Sequence, residues 1–298
     1  MKKILLLIIL ISSQMFGQWE GTKYESVFGN DNLPFVMNVT TASVTISMKG
    51  TGLIRVVWGD NSFTDYTLTS TAQNVAHTYS GSATYKVKIY NPAKITYWSC
   101  SDNANYSFHL REFRKTGLTT ISITGSNTIS GSVSDFKTGL TYIYIGGSNT
   151  ITGSVSDFKT GLTAISITGS NTITGSVSDF KTGLTTISIA GSNTISGSVS
   201  DFKTGLTAIS ITGSNTITGY TYPYTWSNSM NFFSLAINNG TGLSAAEVDQ
   251  LCIDLDNSAW AGSGKTLKLL GSKIAAPTAT SAAARSSLST KGVSITTN

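Results

Sequence analysis

The stretch that decides the fold is Leu118–Gly139, which reads LTTISITGSNTISGSVSDFKTG. Close copies follow without a gap and begin at Leu140, Leu162, Leu184 and Leu206, so the period is constant. A period of this size is typical of solenoid proteins, because one unit buries its apolar side chains only when neighbouring units stack on it. The centre of the chain is therefore predicted to be a repeat solenoid.

The apolar residues of one unit predict its local structure. Leu118, Ile121 and Ile123 include a period of two, which is typical of a strand with one buried face. Asn127 follows in a turn, where its amide can bond to the backbone of adjacent coils. Further inward positions are expected at Ile129, Val133 and Phe136. A degenerate unit precedes the repeats at Ile95, Trp98 and Cys100, and a half-unit follows at Phe232, Leu235 and Ile237, giving about six repeats over 93–240.

The stretch N127-x-I129-x-G131-x-V133-xx-F136 resembles the second half of a plant-type leucine-rich repeat. The resemblance implies a right-handed solenoid with a parallel sheet. The chain departs from that pattern by one extra residue before Asn127 and by Ser134 in place of proline. Because Ile and Thr outnumber Leu, a parallel β-helix stays open as the alternative.

The two flanking regions predict different structures. Residues 18–92 contain strand-like alternation in VTTASVTISM (39–48) and in YKVKIY (85–90). The elements W58-G-D-N61, H77-T-Y79 and Y85-K-V-K-I89 resemble PKD-like (polycystic-kidney-disease-type) β-sandwich domains, a likeness that makes Trp58, Asp60, His77 and Tyr79 framework residues. Residues 241–298 predict a small α+β C-terminal cap, with a capping box at Ser244 and Glu247, a strand over 266–270 and a helix near 282–288.

The N-terminus has the pattern of an export signal. Lys2 and Lys3 precede an apolar core at 4–11, which is too short to span a bilayer as a helix. We expect cleavage after Gly17, so that 1–17 is a signal peptide. The mature protein is then expected to be secreted or at the cell surface, without a membrane span. Cys100 and Cys252 are expected to be two buried thiols.

The composition excludes several classes of function. The 298 residues include 43 Ser and 44 Thr, and only 12% are charged. No run of Lys or Arg marks a nucleic-acid interface, and neither a nucleophile motif nor a metal motif is present. We therefore predict no enzymatic activity and no cofactor. Each repeat has one Asp and one Lys, and these are expected to stack in two neighbouring columns that neutralise one another.

Candidate ligand-binding residues are of two kinds. A T-x-[TS] pattern recurs in the repeats and predicts straight hydroxyl columns with rows about 4.8 Å apart. Its candidate residues are Thr128, Thr150, Thr152, Thr172, Thr174, Thr194, Thr216 and Thr218. Tyr142 and Tyr144 interrupt the pattern of outward hydroxyls, and an aromatic cluster near the last coils is formed by Tyr220, Tyr222, Tyr224 and Trp226. The last four either bind a ligand or pack against the cap.

These features predict an exported, non-catalytic binding or adhesion protein. Its partner would be a protein or glycan ligand at a cell surface. Near-identical repeats suit a structural spacer or stalk as an alternative. The hydroxyl array suits binding to ice or to a regular polysaccharide, and the order of the modules suits a phage tail or receptor-binding component.

Overall fold

The computed structural model describes residues 33–100, 106–125 and 127–298. The predicted signal peptide at 1–17 and the first part of the predicted N-terminal domain, 18–32, lie outside these residues. The described chain is mostly β and has a 10-stranded and an 11-stranded sheet, here called the back sheet and the front sheet. The prediction of a mostly-β repeat solenoid is confirmed at this level.

Each repeat supplies one strand to each sheet, and most then form a short 3-10 turn. The front-sheet strands are β9 (Thr120–Ile123), β11 (Tyr142–Ile145), β13 (Ala164–Ile167), β15 (Thr186–Ile189) and β17 (Ala208–Ile211). The back-sheet strands are β10 (Thr128–Ser132), β12 (Thr150–Ser154), β14 (Thr172–Ser176), β16 (Thr194–Gly197) and β18 (Thr216–Ile217). All these strands pair in parallel with their equivalents in the neighbouring repeats. The two strands of a repeat therefore lie on opposite sides of one stacked core.

The core is formed by the residues that the periodicity marks as inward. In the third repeat, Leu162, Ile165, Ile167, Ile173, Val177 and Phe180 are all at most 2% exposed. Phenylalanines at the same position stack between coils, and the rings of Phe136 and Phe158 lie 6.3 Å apart. Burying an aliphatic or aromatic side chain contributes about 1.5–3 kcal/mol. The stability of each coil therefore depends on its neighbours.

A ladder of buried asparagines joins the coils. Asn127, Asn149, Asn171, Asn193 and Asn215 are all 0% exposed. Asn171 Oδ1 accepts a hydrogen bond from the backbone N–H of Ile151 at 3.1 Å, and its Nδ2 donates to the carbonyl oxygen of Ala190 at 3.4 Å. One side chain thereby bridges the preceding and following coils, and Asn149 makes the same two contacts. The predicted role of the asparagine amide is confirmed in these two repeats. It is wrong for Asn127, whose Nδ2 donates to the carbonyl oxygen of Thr124 in its own coil at 2.7 Å.

The two sheets differ in register. In the front sheet Tyr142 pairs with Ala164, so equivalent residues of neighbouring repeats lie side by side, about 4.8 Å apart. In the back sheet Thr150 pairs with Ser130 rather than with its equivalent, Thr128. Equivalent residues there are displaced by two positions, about 6.6 Å along the strand. The prediction of straight threonine columns is wrong for the back sheet, because its strands slide against one another at every step.

The N-terminal strands continue both sheets. They are β1 (Phe35–Val39), β2 (Ser43–Gly50), β3 (Gly52–Val57), β4 (Phe63–Leu68), β5 (Gln73–Thr78) and β6 (Tyr85–Tyr90), and they pair antiparallel. The degenerate unit follows as β7 (Ile95–Cys100) and β8 (Tyr106–His109). β2 pairs with β7 in the front sheet and β1 with β8 in the back sheet. Trp98 and Cys100 pair with Ile121 and Ile123, as the repeat alignment predicts.

The C-terminal region extends the front sheet and adds two helices. Its elements are β19 (Phe232–Ala236), α1 (Ala245–Asn257), β20 (Thr266–Leu270), α2 (Ala282–Thr290) and β21 (Ser294–Thr297). The predicted capping box at Ser244 and Glu247 is present. In the half-unit, Leu235 pairs with Ile211 rather than with Ile209, so the predicted alignment is wrong by two residues there. No helix within the described ranges has the length and apolar character needed to cross a bilayer.

Candidate functional site on the outer face of the front sheet

Two tyrosines stand out from the front sheet on strand β11. Tyr142 and Tyr144 are 39% and 36% exposed, whereas Ile143 and Ile145 on the same strand are at most 1% exposed. Alternating residues of a strand point to opposite faces of the sheet, so both rings project outward. Their positions are separated by about 7 Å along the strand. They form a pair of aromatic surfaces in the midst of short side chains.

The difference between β11 and its neighbours is confined to the outer face. The second repeat, Leu140–Gly161, differs from the third, Leu162–Gly183, at three positions only. The differences are Tyr142 for Ala164, Tyr144 for Ser166 and Gly146 for Thr168. The first two lie at outward positions of the strand, and the third lies just beyond the strand end. The core of this coil is therefore unchanged, while its outer surface has two rings in place of Ala and Ser and lacks the threonine side chain.

A row of serines runs across the strands on either side of Tyr144. Register places Ser99, Ser122, Tyr144, Ser166, Ser188, Ser210 and Ser234 in one line. Within the described part of the chain, the hydroxyls of the serines in this row form no hydrogen bond with another protein group. Ser234, at the C-terminal end of the row, is buried at 8% exposure, whereas the others are partly exposed. The stretch from Ser99 to Ser210, here called the serine row, is therefore available to an external partner.

The candidate threonines lie on the back sheet and partly bond to it. Thr128, Thr150, Thr152, Thr172, Thr174 and Thr194 are exposed, whereas Thr216 and Thr218 are only partly so. Thr152 Oγ1 donates to the carbonyl oxygen of Gly131 at 3.4 Å, and Thr174 Oγ1 to that of Gly153 at 3.3 Å. Register also separates equivalent threonines by the two-residue slide. The back sheet presents a less regular hydroxyl surface than the sequence predicts.

The aromatic cluster near the last repeat divides into buried and exposed members. Tyr220 and Trp226 are each 4% exposed, and Trp226 Nε1 donates to Tyr220 Oη at 3.0 Å. Tyr224 is half-buried, and its hydroxyl donates to the carbonyl oxygen of Phe202 at 3.0 Å. Tyr222 is 48% exposed. Of the two alternatives open for these residues, Tyr220 and Trp226 therefore pack against the cap, and their burial leaves no ring face exposed to a ligand.

The repeated charges are used locally. Each repeat aspartate caps the 3-10 turn that contains it, as where Asp179 accepts from the backbone N–H of Ser176 at 3.2 Å. Two of the lysines reach carbonyl oxygens instead: Lys137 Nζ donates to Thr116 and Lys181 Nζ to Ser156, each at 2.6 Å. The ion pairs formed among the described residues include none between these aspartates and lysines. The predicted mutual neutralisation of the two columns is wrong, because turn capping uses the carboxylates.

A histidine–aspartate pair lies among the N-terminal strands. His77 Nε2 lies 2.7 Å from Asp60 Oδ2, and the His77 ring stacks on Trp58 with centroids 4.8 Å apart. Ser62 Oγ donates to Asp60 Oδ1 at 2.6 Å, not to the histidine. Ser62 is therefore not placed as a nucleophile that His77 could activate. These contacts hold the turn at Asp60 in place, in keeping with the framework role that the PKD-like resemblance implies.

The Asp60 contacts predict a pH dependence of stability. Burial opposes ionisation of Asp60, but hydrogen bonds from Ser62 and His77 outweigh it and lower its pKa from 3.8 to about 2. A lowered pKa stabilises the fold fully above pH 3.8, and this contribution is lost as the pH falls toward 2. Because the Asp60–His77 pair is partly exposed, we expect it to contribute less than about 1 kcal/mol to the free energy of unfolding. Urea unfolding of wild type and Asp60→Asn should show a stability difference that shrinks between about pH 5 and about pH 2. A difference independent of pH would contradict this assignment.

No group of His, Cys, Asp and Glu able to hold a metal ion occurs within the described residues. Cys100 and Cys252 are both buried, as predicted. Comparison with protein-family models, with curated proteins and with solved structures finds no match to this chain.

Proposed function

We propose that this chain is an exported, non-catalytic binding or adhesion protein that contacts its ligand through the outer face of the front sheet. The contact is centred on Tyr142 and Tyr144. Export rests on the signal-like segment at 1–17, and the site rests on the geometry of β11. Tyrosines are enriched at binding surfaces because each combines a large apolar ring with a hydrogen-bonding hydroxyl.

One observation carries the proposal. The second and third repeats are identical except at three positions, and all three differences fall at or beside the outer face of one strand. Folding does not require these differences, because the third repeat forms the same coil with Ala164, Ser166 and Thr168. An exposed aromatic pair also adds apolar surface in contact with water. A ligand that covers the two rings would remove this apolar surface from water.

The test converts the second repeat into the third. The triple variant Tyr142→Ala, Tyr144→Ser, Gly146→Thr has a coil sequence that already occurs in the chain, so it is expected to fold. We expect its adsorption to purified bacterial envelopes to be at least about tenfold weaker than that of wild type, a loss of about 1.4 kcal/mol. Fluorescently labelled protein, titrated onto the envelopes, gives the two affinities. Envelopes treated with protease or with periodate distinguish a protein ligand from a glycan.

Equal adsorption of wild type and the triple variant would contradict the proposal and favour the alternative that the chain is a structural spacer or stalk. The exchange Thr128→Ala on the back sheet is the matched control, because it alters an exposed hydroxyl outside the site. It should leave adsorption unchanged. A urea unfolding curve for each protein establishes that the comparison is between folded chains.

We also infer the finer classification of the fold. The buried asparagine in every repeat, followed by inward Ile, Val and Phe positions, supports a leucine-rich-repeat-type solenoid. For the N-terminal strands, the stacking of Trp58 on His77 and the hydrogen bond from Tyr79 Oη to the carbonyl oxygen of Trp58 at 3.0 Å support a PKD-like unit.

A further inference from the structure

We infer that the ligand of the front sheet is a neutral, extended polysaccharide that lies across the strands along the serine row, with its sugar rings against Tyr142 and Tyr144. This inference rests on the proposed function and specifies the chemistry of the same site. It follows from three properties of the surface, namely its translational repeat, its lack of charge and its free hydroxyls beside aromatic rings.

The first property is the repeat. Ser166, Ser188 and Ser210 occupy equivalent positions on adjacent strands, so the same hydroxyl recurs about every 4.8 Å. The serine row from Ser99 to Ser210 crosses six strands, which spans about 24 Å. A surface that presents one group at a constant step suits a ligand with a constant step of its own. A sugar unit in an extended β-linked chain advances by a similar distance, whereas the surface of a globular protein without internal repeats has no such constant step.

The second property is the absence of charge. Every outward residue of the front-sheet strands from β7 to β19 is Tyr, Ser, Thr, Ala or Phe. The nearest charged residues in the two outward rows are Lys49 on β2 and Lys268 on β20, at opposite ends of this tract. An anionic polymer would find no cation along the tract to offset its desolvation. A neutral polymer meets no such cost.

The third property is the combination of rings and hydroxyls. The face of an aromatic ring carries partial negative charge and attracts the weakly positive C–H groups of a sugar face. The serine hydroxyls both donate and accept hydrogen bonds, as sugar hydroxyls do. Gly146 follows the tyrosine pair where the third repeat has Thr168, so no side chain of this coil stands beside the rings at the end of β11. A polymer that crosses β11 can therefore stack on the rings and bond to serines on both sides.

The experiment measures binding of the intact exported chain to insoluble cellulose, chitin, curdlan and mannan, with alginate as an anionic contrast. Depletion isotherms are taken at about 0.1 M and about 1 M sodium chloride, where the screening length falls from about 10 Å to about 3 Å. We expect at least one neutral glycan to bind with an affinity that salt does not alter. The triple variant described above should bind that glycan at least about tenfold more weakly than wild type.

A second variant tests the serine row separately from the tyrosines. Ser188→Lys keeps Tyr142 and Tyr144 but places a charge on the row, two strands from β11. We expect about tenfold weaker binding, because a polymer along the row must cross this position. A reciprocal variant, Ala164→Tyr, Ser166→Tyr, Thr168→Gly, repeats the aromatic pair on the next strand and should strengthen binding.

The outcomes separate the two proposals. Three results would each overturn the inference of a neutral polysaccharide ligand. They are binding to no neutral glycan, binding to alginate alone with loss at high salt, and an unchanged affinity of Ser188→Lys. If the triple variant still adsorbs poorly to envelopes in those cases, the proposed binding site stands and its ligand is of another class. If wild type and the triple variant behave alike on both envelopes and glycans, both proposals fail.

Discussion

Asp254→Ala is expected to lower the free energy of unfolding by about 4 kcal/mol. The Asp254 side chain is 3% exposed and joins helix α1 to the segment that follows the last repeat. Its Oδ2 accepts from Tyr220 Oη at 2.7 Å and from the backbone N–H of Tyr224 at 2.8 Å, and its Oδ1 accepts from Gln250 Nε2 at 2.8 Å. Alanine would leave two buried donors without an acceptor, at about 1–3 kcal/mol each.

The matched control is Asp256→Ala on the same helix. Asp256 pairs with Lys291 at 2.5 Å, but both side chains are partly exposed, at 21% and 33%. Such pairs contribute about 0–1 kcal/mol. Urea unfolding followed by tryptophan fluorescence should separate the two variants clearly, because Trp226 lies in the contact that Asp254 holds. Equal losses in the two variants would show that the Tyr220 network does not hold the cap on the repeats.

This network explains why sequence alone left the aromatic cluster ambiguous. Tyr220 and Tyr222 are both aromatic, lie close together in the chain and follow the same repeat, yet one is buried and the other is half exposed. The difference arises from Asp254, which belongs to helix α1 in a later segment of the chain. Sequence periodicity reports contacts within a coil and between equivalent coils. It does not report which side chain meets a helix that arrives from a separate segment.

More of the structure of the repeats could be predicted from the sequence. Spacing identified the inward residues, the asparagine in the turn and the capping box of α1, because each depends on local conformation or on a neighbour of near-identical sequence. The register did not follow from the period: the front sheet pairs equivalent residues, whereas each back-sheet strand is shifted by two positions. As a result the sequence favoured the back-sheet threonines as the regular array. The serine row was already visible at every second position of the front strands, but only register shows that it is straight.

Gly169→Ala is expected to cost about 4 kcal/mol, several times more than the same change at Gly161 in the preceding turn. Gly169 has a φ of 129°, and a Cβ placed on it would lie 2.5 Å from the carbonyl oxygen of Gly147 and 3.0 Å from the backbone N of Asn149. Both atoms belong to the backbone of the preceding coil, so neither can rotate away. Backbone strain contributes about 1–3 kcal/mol, and overpacking adds about 1–3 kcal/mol.

Gly161 isolates the conformational part of that cost. Its φ is 92°, also unfavourable for alanine, but a Cβ there would meet no atom within 4 Å. We expect Gly161→Ala to cost about 1 kcal/mol. Urea midpoints at constant m-value give both numbers. Close approach at Gly169 also brings Asn171 within reach of Ile151, so hydrogen exchange at the Ile151 amide should accelerate in Gly169→Ala and not in Gly161→Ala. If both variants lose the same stability, the contact between coils tolerates a methyl group, and glycine is required at position 169 for its backbone conformation alone.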